Sequence, residues 1–180
     1  GLNESYMERI YINSEGANRH MKLSQSSIYL YAKAEEENKK PRSAGAIRIN
    51  TNLEKLDIDS CIKETSGKLI SHLNYKSIET NKYLICFTPE AFLQLISAFS
   101  SMFNARSIID GLSLMNEDSI GNQISVSNLN ISDEGLHPEN VGAFSFDGEG
   151  TPTQNIELIN KGILTNLLHS EATARKFGVK

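Results

Sequence analysis

Two carboxylates and two glycines share one six-residue turn, Asp147-Gly148-Glu149-Gly150-Thr151-Pro152. Acidic groups on a tight turn can hold a cation or a peptide amine. Glycine admits positive φ or the close approach of another backbone, and proline restricts the exit. Asp-Gly and Glu-Gly pairs are also ordinary loop chemistry, so the residues alone allow either a site or a plain structural turn. A second acidic turn, Asp133-Glu134-Gly135-Leu136-His137-Pro138, sets an imidazole near two carboxylates. Two or three ligands from one loop can hold a metal, although the same residue types are common in exposed turns. His72, at the end of an expected helix, reads as a satisfied or partly exposed side chain, since it has no partner near it in sequence.

These residues need elements to position them. Residues 9–13 and 27–34 alternate β-branched or aromatic with polar side chains, the mark of half-buried strands, and Glu15-Gly16-Ala17-Asn18 reads as the turn between them. The charged run 35–42 is expected to be a solvated loop, with a third strand at 46–49. A helix follows in which Ile58, Ile62, Thr65, Leu69 and Leu73 recur at spacings of three and four, with Asp57 or Asp59 as N-cap. The polar stretch 74–82 is the expected linker.

In the second half, residues 83–87 form an apolar run expected to be a short buried strand carrying Cys86. Thr88 and Pro89 read as N-cap and first residue of a helix. Its stripe of Phe92, Leu95, Ile96, Phe99, Met102 and Phe103 is expected to pack against a sheet. Residues 105–111 continue or restart that helix. Strands are expected at 123–126, 129–132, 143–146, 155–159 and 163–168, with Asn160-Lys161-Gly162 joining the last two. Ser170 caps a final helix, 171–177, that Gly178 stops.

Composition sets limits on class. The chain has 180 residues, 39% of them apolar and 22% charged, with a net charge of -4. That suits one ordinary domain or two small ones. No apolar run approaches the ~18 residues that span a bilayer, and the first residues lack the core of a signal peptide, so a soluble, cytoplasmic protein is expected. Cations are spread along the chain, which gives no electrostatic footprint for nucleic acid. The two cysteines, Cys61 and Cys86, form no C-x-x-C pair and read as small core hydrophobes. The Asn130-Ile131-Ser132 sequon would matter only in a secreted protein.

The string FDGEGTPTQNIELINKGILTNLLHSEATARKFG, residues 146–178, closely resembles the TldD/PmbA family, also described as modulators of DNA gyrase. The similarity extends to residues 83–92, which resemble the strand and helix start of the family's second domain. Residues 10–16 and the Pro41-Arg42-Ser43-Ala44-Gly45 loop resemble the end of its first. The resemblance implies an α+β fold of antiparallel sheets with packed helices. Residues 1–76 would be the end of an N-terminal α/β domain, and 77–180 the first part of a strand-rich C-terminal domain, in a chain that is a fragment at both ends. Sheet edges left unpaired by such truncation would favour self-association.

TldD-type members carry a His-Glu-x-x-x-His helix that ligates zinc, with the glutamate as general base, and PmbA-type members, also called TldE, lack it. The matching helix here reads Pro89-Glu90-Ala91-Phe92-Leu93-Gln94. Pro89, Glu90 and Gln94 therefore mark a vestigial active-site helix, with no catalytic residue, no metal and no cofactor in this chain, and zinc only in a TldD-type partner. On this reading the partners are a TldD-type peptidase subunit, in a homo- or hetero-oligomer, and unfolded peptides, with no nucleic acid and no membrane. Asp147 and Glu149 would orient a peptide amine or a partner arginine. Gly148 and Gly150 would allow close approach, and Pro152 would set the strand entry. The alternatives are a stand-alone metal-dependent peptidase using Asp133, Glu134 and His137, or His169, and a gyrase-interacting regulator without proteolysis.

Overall fold

The computed structural model describes residues 1–137 and 140–179. The chain divides into two compact units, Gly1–Lys82 and Tyr83–Lys180.

The first unit is an antiparallel sheet of β1 (Leu2–Ile12), β2 (Asn18–Ala34) and β3 (Arg42–Asn50), with β2 in the middle. Pairing runs from Leu2 opposite Ile28 to Ile12 opposite Asn18, and from Ser26 opposite Asn50 to Ala34 opposite Arg42. All three strands exceed the expected ranges, because regular backbone pairing carries polar residues along with the alternating ones. The Pro41–Gly45 stretch is accordingly not a loop beyond Pro41, since Arg42 already opens β3. At the first turn, Asn13 Oδ1 accepts from the amides of Glu15 and Ala17.

Helix α1 (Ile58–Leu73) packs on β2 and β3, and its Asp57 cap accepts from the Ser60 amide at 2.9 Å. Its buried face follows the expected one only in part: Thr65 is buried and Leu69 and Leu73 are half-buried as expected, but Ile58 and Ile62 are exposed and Cys61 is buried in their stead. Small Ala44 and Ala46 on β3 let the helix approach, and the Cys61 thiol lies 3.5 Å from the Ala46 carbonyl oxygen. Ile28, Ala46, Leu56 and Cys61 make this core. Arg48 ties the sheet to the helix through Ser60 at 2.9 Å and Glu64 at 2.6 Å.

The second unit opens differently from the sequence expectation. Residues 83–87 form no strand, Cys86 is exposed, and Leu84 is fully exposed. Helix α2 (Pro89–Ala98) has the expected Thr88 cap and Pro89 start, but it buries no residue. Phe92, Leu95 and Phe99 are exposed, and of the expected stripe only Phe103 is buried, in the 3-10 turn after the helix. The period of a pattern identifies the apolar face of a helix but not whether anything covers it.

Helix α3 (Ala105–Ile109) follows, then β4 (Ile131–Glu134), β5 (Asn155–Asn160) and β6 (Ile163–Leu164), antiparallel in that order, and α4 (Glu171–Phe177). The core joins Phe103, Ala105, Ile108, Leu158, Ile159, Leu164 and Leu167. Asn160-Lys161-Gly162 does turn β5 into β6, with φ of 47° at Lys161 and 80° at Gly162, the primed-turn geometry that suits a hairpin. A Cβ at Gly162 would stand 2.5 Å from the Ser125 carbonyl oxygen, so that position requires glycine. The expected strands 123–126 and 143–146 reduce to single bridges, Gln123 with Ile163 and Phe146 with Pro152. Among the described residues, no helix is long and apolar enough to cross a membrane.

Candidate functional site

The Asp147–Pro152 turn closes on itself. Asp147 Oδ1 accepts from the amides of Glu149 (2.8 Å) and Thr151 (2.9 Å), and the Asp147 amide donates to the Thr151 carbonyl at 3.0 Å. This is the side-chain-to-backbone turn that aspartate makes readily. Gly150 is buried at φ 82°, a conformation L side chains rarely adopt, whereas a Cβ on Gly148 would meet open space. Fully buried Phe146 anchors one side of the turn and bridges to Pro152 on the other.

Glu149 reaches beyond the turn. Its Oε2 accepts from the Glu171 amide at 3.0 Å, at the first residue of α4. Ser170, the N-cap, accepts from the Thr173 amide at 3.3 Å, while the Thr173 hydroxyl accepts from the Ser170 amide at 2.9 Å. A carboxylate and a capping box thus meet the positive end of one short helix. His169 stands edge-on to Phe177, with ring centroids 5.2 Å apart, and burial pushes its imidazole below the ordinary value.

A cleft of about 430 Å³ is lined by Asn104, Arg106, Asp147, Glu149, Leu168, His169 and Ser170. Backbone pairing brings these distant segments together, since the Ala105 amide donates to the Leu168 carbonyl (3.0 Å) and the Leu168 amide to that of Phe103 (2.7 Å). Asn104 caps α3 through the Arg106 amide at 2.9 Å, and Arg106 is paired with Asp110 at 2.8 Å, which holds its guanidinium above the usual value. Asn104 and Arg106 escaped the sequence reading as site residues. Asn104 shows a local signal as a helix cap, but its place beside the acidic turn depends on the pairing with Leu168.

The other candidates are not gathered there. Asp133 and Glu134 belong to β4 instead of a turn, and Pro138 lies outside the described residues. The described residues contain no group of three or more His, Cys, Asp or Glu able to hold a metal ion. Pro89, Glu90 and Gln94 occupy the first turns of α2, all exposed. A zinc site with about three protein ligands does not fit there, because proline has no donor and a glutamine amide is a poor substitute for imidazole, leaving Glu90 as the sole carboxylate of the helix.

Residues 80–180 match the PmbA/TldA metallopeptidase C-terminal domain and residues 1–73 the central domain of the same family. The chain belongs to the PmbA/TldA metallopeptidase family. A metalloprotease of Methanothermobacter thermautotrophicus is 27% identical over 177 residues, covering 94% of this chain and 38% of the relative. The crystal structure of a proposed modulator of a DNA gyrase from Thermotoga maritima superposes with a TM-score of 0.92 at 27% identity, covering 99% of this chain and 41% of that one. TldE from Thermococcus kodakarensis shares the fold, with a TM-score of 0.81 at 16% identity over 99% of this chain and 40% of that one. The chain therefore spans about two fifths of the relatives' length.

Proposed function

We propose that this PmbA/TldA-family chain belongs to a TldE-like subunit that carries no zinc of its own and pairs, in the cytoplasm, with a TldD-type zinc peptidase to enclose unfolded peptides for cleavage. One observation carries the reading: the first turns of α2 present Pro89, Glu90 and Gln94, so a single carboxylate stands where zinc catalysis needs about three ligands and an open position for water. Glu90 then has no metal-bound water to deprotonate, and this helix end lines a vestigial cleft. The test is co-expression of the full-length protein with its TldD-type homologue, with peptide cleavage and zinc content measured for each alone and for both together. Cleavage only by the pair, with zinc tracking the partner, is the expected result. Cleavage by the purified protein alone, with stoichiometric zinc bound, would sink the proposal.

Within this reading the Asp147–Pro152 turn contacts peptide or partner. Exposed Asp147 and Glu149 supply negative charge for a peptide amine or a partner arginine, with Gly148, Gly150 and Pro152 shaping the approach. Both carboxylates also accept backbone hydrogen bonds, so the informative changes keep an acceptor and remove the charge. Asp147→Asn with Glu149→Gln is expected to lower cleavage by the assembled pair several-fold, with assembly retained in gel filtration. Full activity in the assembled double variant would reject the electrostatic role.

A further inference from the structure

The first unit contains a cleft of about 390 Å³ lined by Pro41, Arg42, Ser43, His72 and Tyr75. The Arg42 guanidinium carbon stands 3.7 Å from the centroid of the Tyr75 ring. Stacking covers one face of the guanidinium and leaves its in-plane N–H edge for a ligand. Arg42 Nε itself is buried and has no hydrogen-bond partner among the described residues, so the edge that can meet a ligand is the terminal Nη1 and Nη2 side.

The rest of the cleft fits the same ligand. His72 Nδ1 lies 3.0 Å from the Ser43 carbonyl oxygen, and a carbonyl can only accept. Nδ1 therefore carries the proton, and this bond fixes the orientation of the ring in the cleft wall. None of the lining residues is acidic.

We propose that this cleft binds a carboxylate, held bidentately on the Arg42 edge with His72 alongside. The fork of a single guanidinium matches a planar carboxylate, whereas a phosphate dianion draws on more donors than one fork and one imidazole. The carboxylate can come from a chain terminus or from an acidic side chain. This proposal is independent of whether the chain acts as a non-catalytic subunit.

The experiment is an NMR titration of the chain with four probes: acetyl-trialanine, its C-terminal amide, acetyl-Ala-Glu-Ala amide and inorganic phosphate, observing the Arg42 Nε–H resonance. Saturable shifts are expected from at least one carboxylate peptide, with about tenfold tighter binding than the plain amide, and Arg42→Lys, which keeps the charge and loses the fork, should weaken it by about tenfold. Which carboxylate peptide binds identifies the source. Equal affinity for acid and plain amide, phosphate binding tighter than either acid, or an Arg42→Lys protein that binds as well as the original would overturn the assignment. If Arg42→Lys does not fold, the comparison of acids against the plain amide on the original protein decides.

Discussion

Asp147 uses one carboxylate oxygen to hold two amides of its own turn, while Gly148 beside it meets nothing. Asp147→Ala should cost about 1 kcal/mol, and Asp147→Asn distinctly less because its amide oxygen still accepts. Gly148→Ala should stay within about 0.5 kcal/mol, whereas Gly150→Ala, forced to positive φ, should cost roughly 1 kcal/mol or more. Urea unfolding of the four variants measures the order. His169 gives a pH signature at the same scale. Burial depresses its folded-state pKa, so its contribution is complete above the unfolded value of about 6.5 and declines as pH falls below it, where the unfolded chain takes up a proton that the folded one resists. His169→Gln should flatten that part of the stability profile, and an unchanged slope would exclude His169 as its source.

At the scale of elements, α4 is seven residues long and owes its start to groups outside itself. Ser170→Ala should cost about 1 kcal/mol. Because Ser170 and Glu149 serve amides of the same first turn, Ser170→Ala and Glu149→Gln should be non-additive in a double-mutant cycle read by denaturation. Strict additivity would mean that Glu149 is not part of the cap. Ser170, the helix 171–177 and the stop at Gly178 were legible in the sequence because caps act within four residues. The contact from Glu149 spans 22 residues and left no local trace.

For the whole molecule, the exposed apolar surface is the feature with solution consequences. Leu84, Ile85 and Phe87 stand in a segment without strand pairing, and Leu93 and Leu95 on α2, with Phe99 at its C-cap, are also exposed. Apolar surface of this extent favours association. Sedimentation should show the average mass of the chain rising with concentration, with Leu93→Glu moving it towards monomer. A concentration-independent monomer would count against association through this surface. The same residues mark a limit of sequence reading: residues 83–87 have strand composition, but a strand exists only where another backbone pairs with it, and the apolar stripe of α2 carries no information about its cover.

The sequence by itself determined the family, the antiparallel α+β class, the capped helices, the glycine hairpin and the composition of α2, which contains no histidine. All of these are read from residue types at short spacing, where local backbone chemistry decides. Tertiary structure alone decided that Asn104 and Arg106 share a cleft with Asp147, that Glu149 caps α4, that α1 buries Cys61 and leaves Ile58 and Ile62 exposed, and that Arg42 stacks on Tyr75. Each of these joins residues brought together by long-range pairing and packing, whose energies depend on the partner that arrives and are not written in either segment alone.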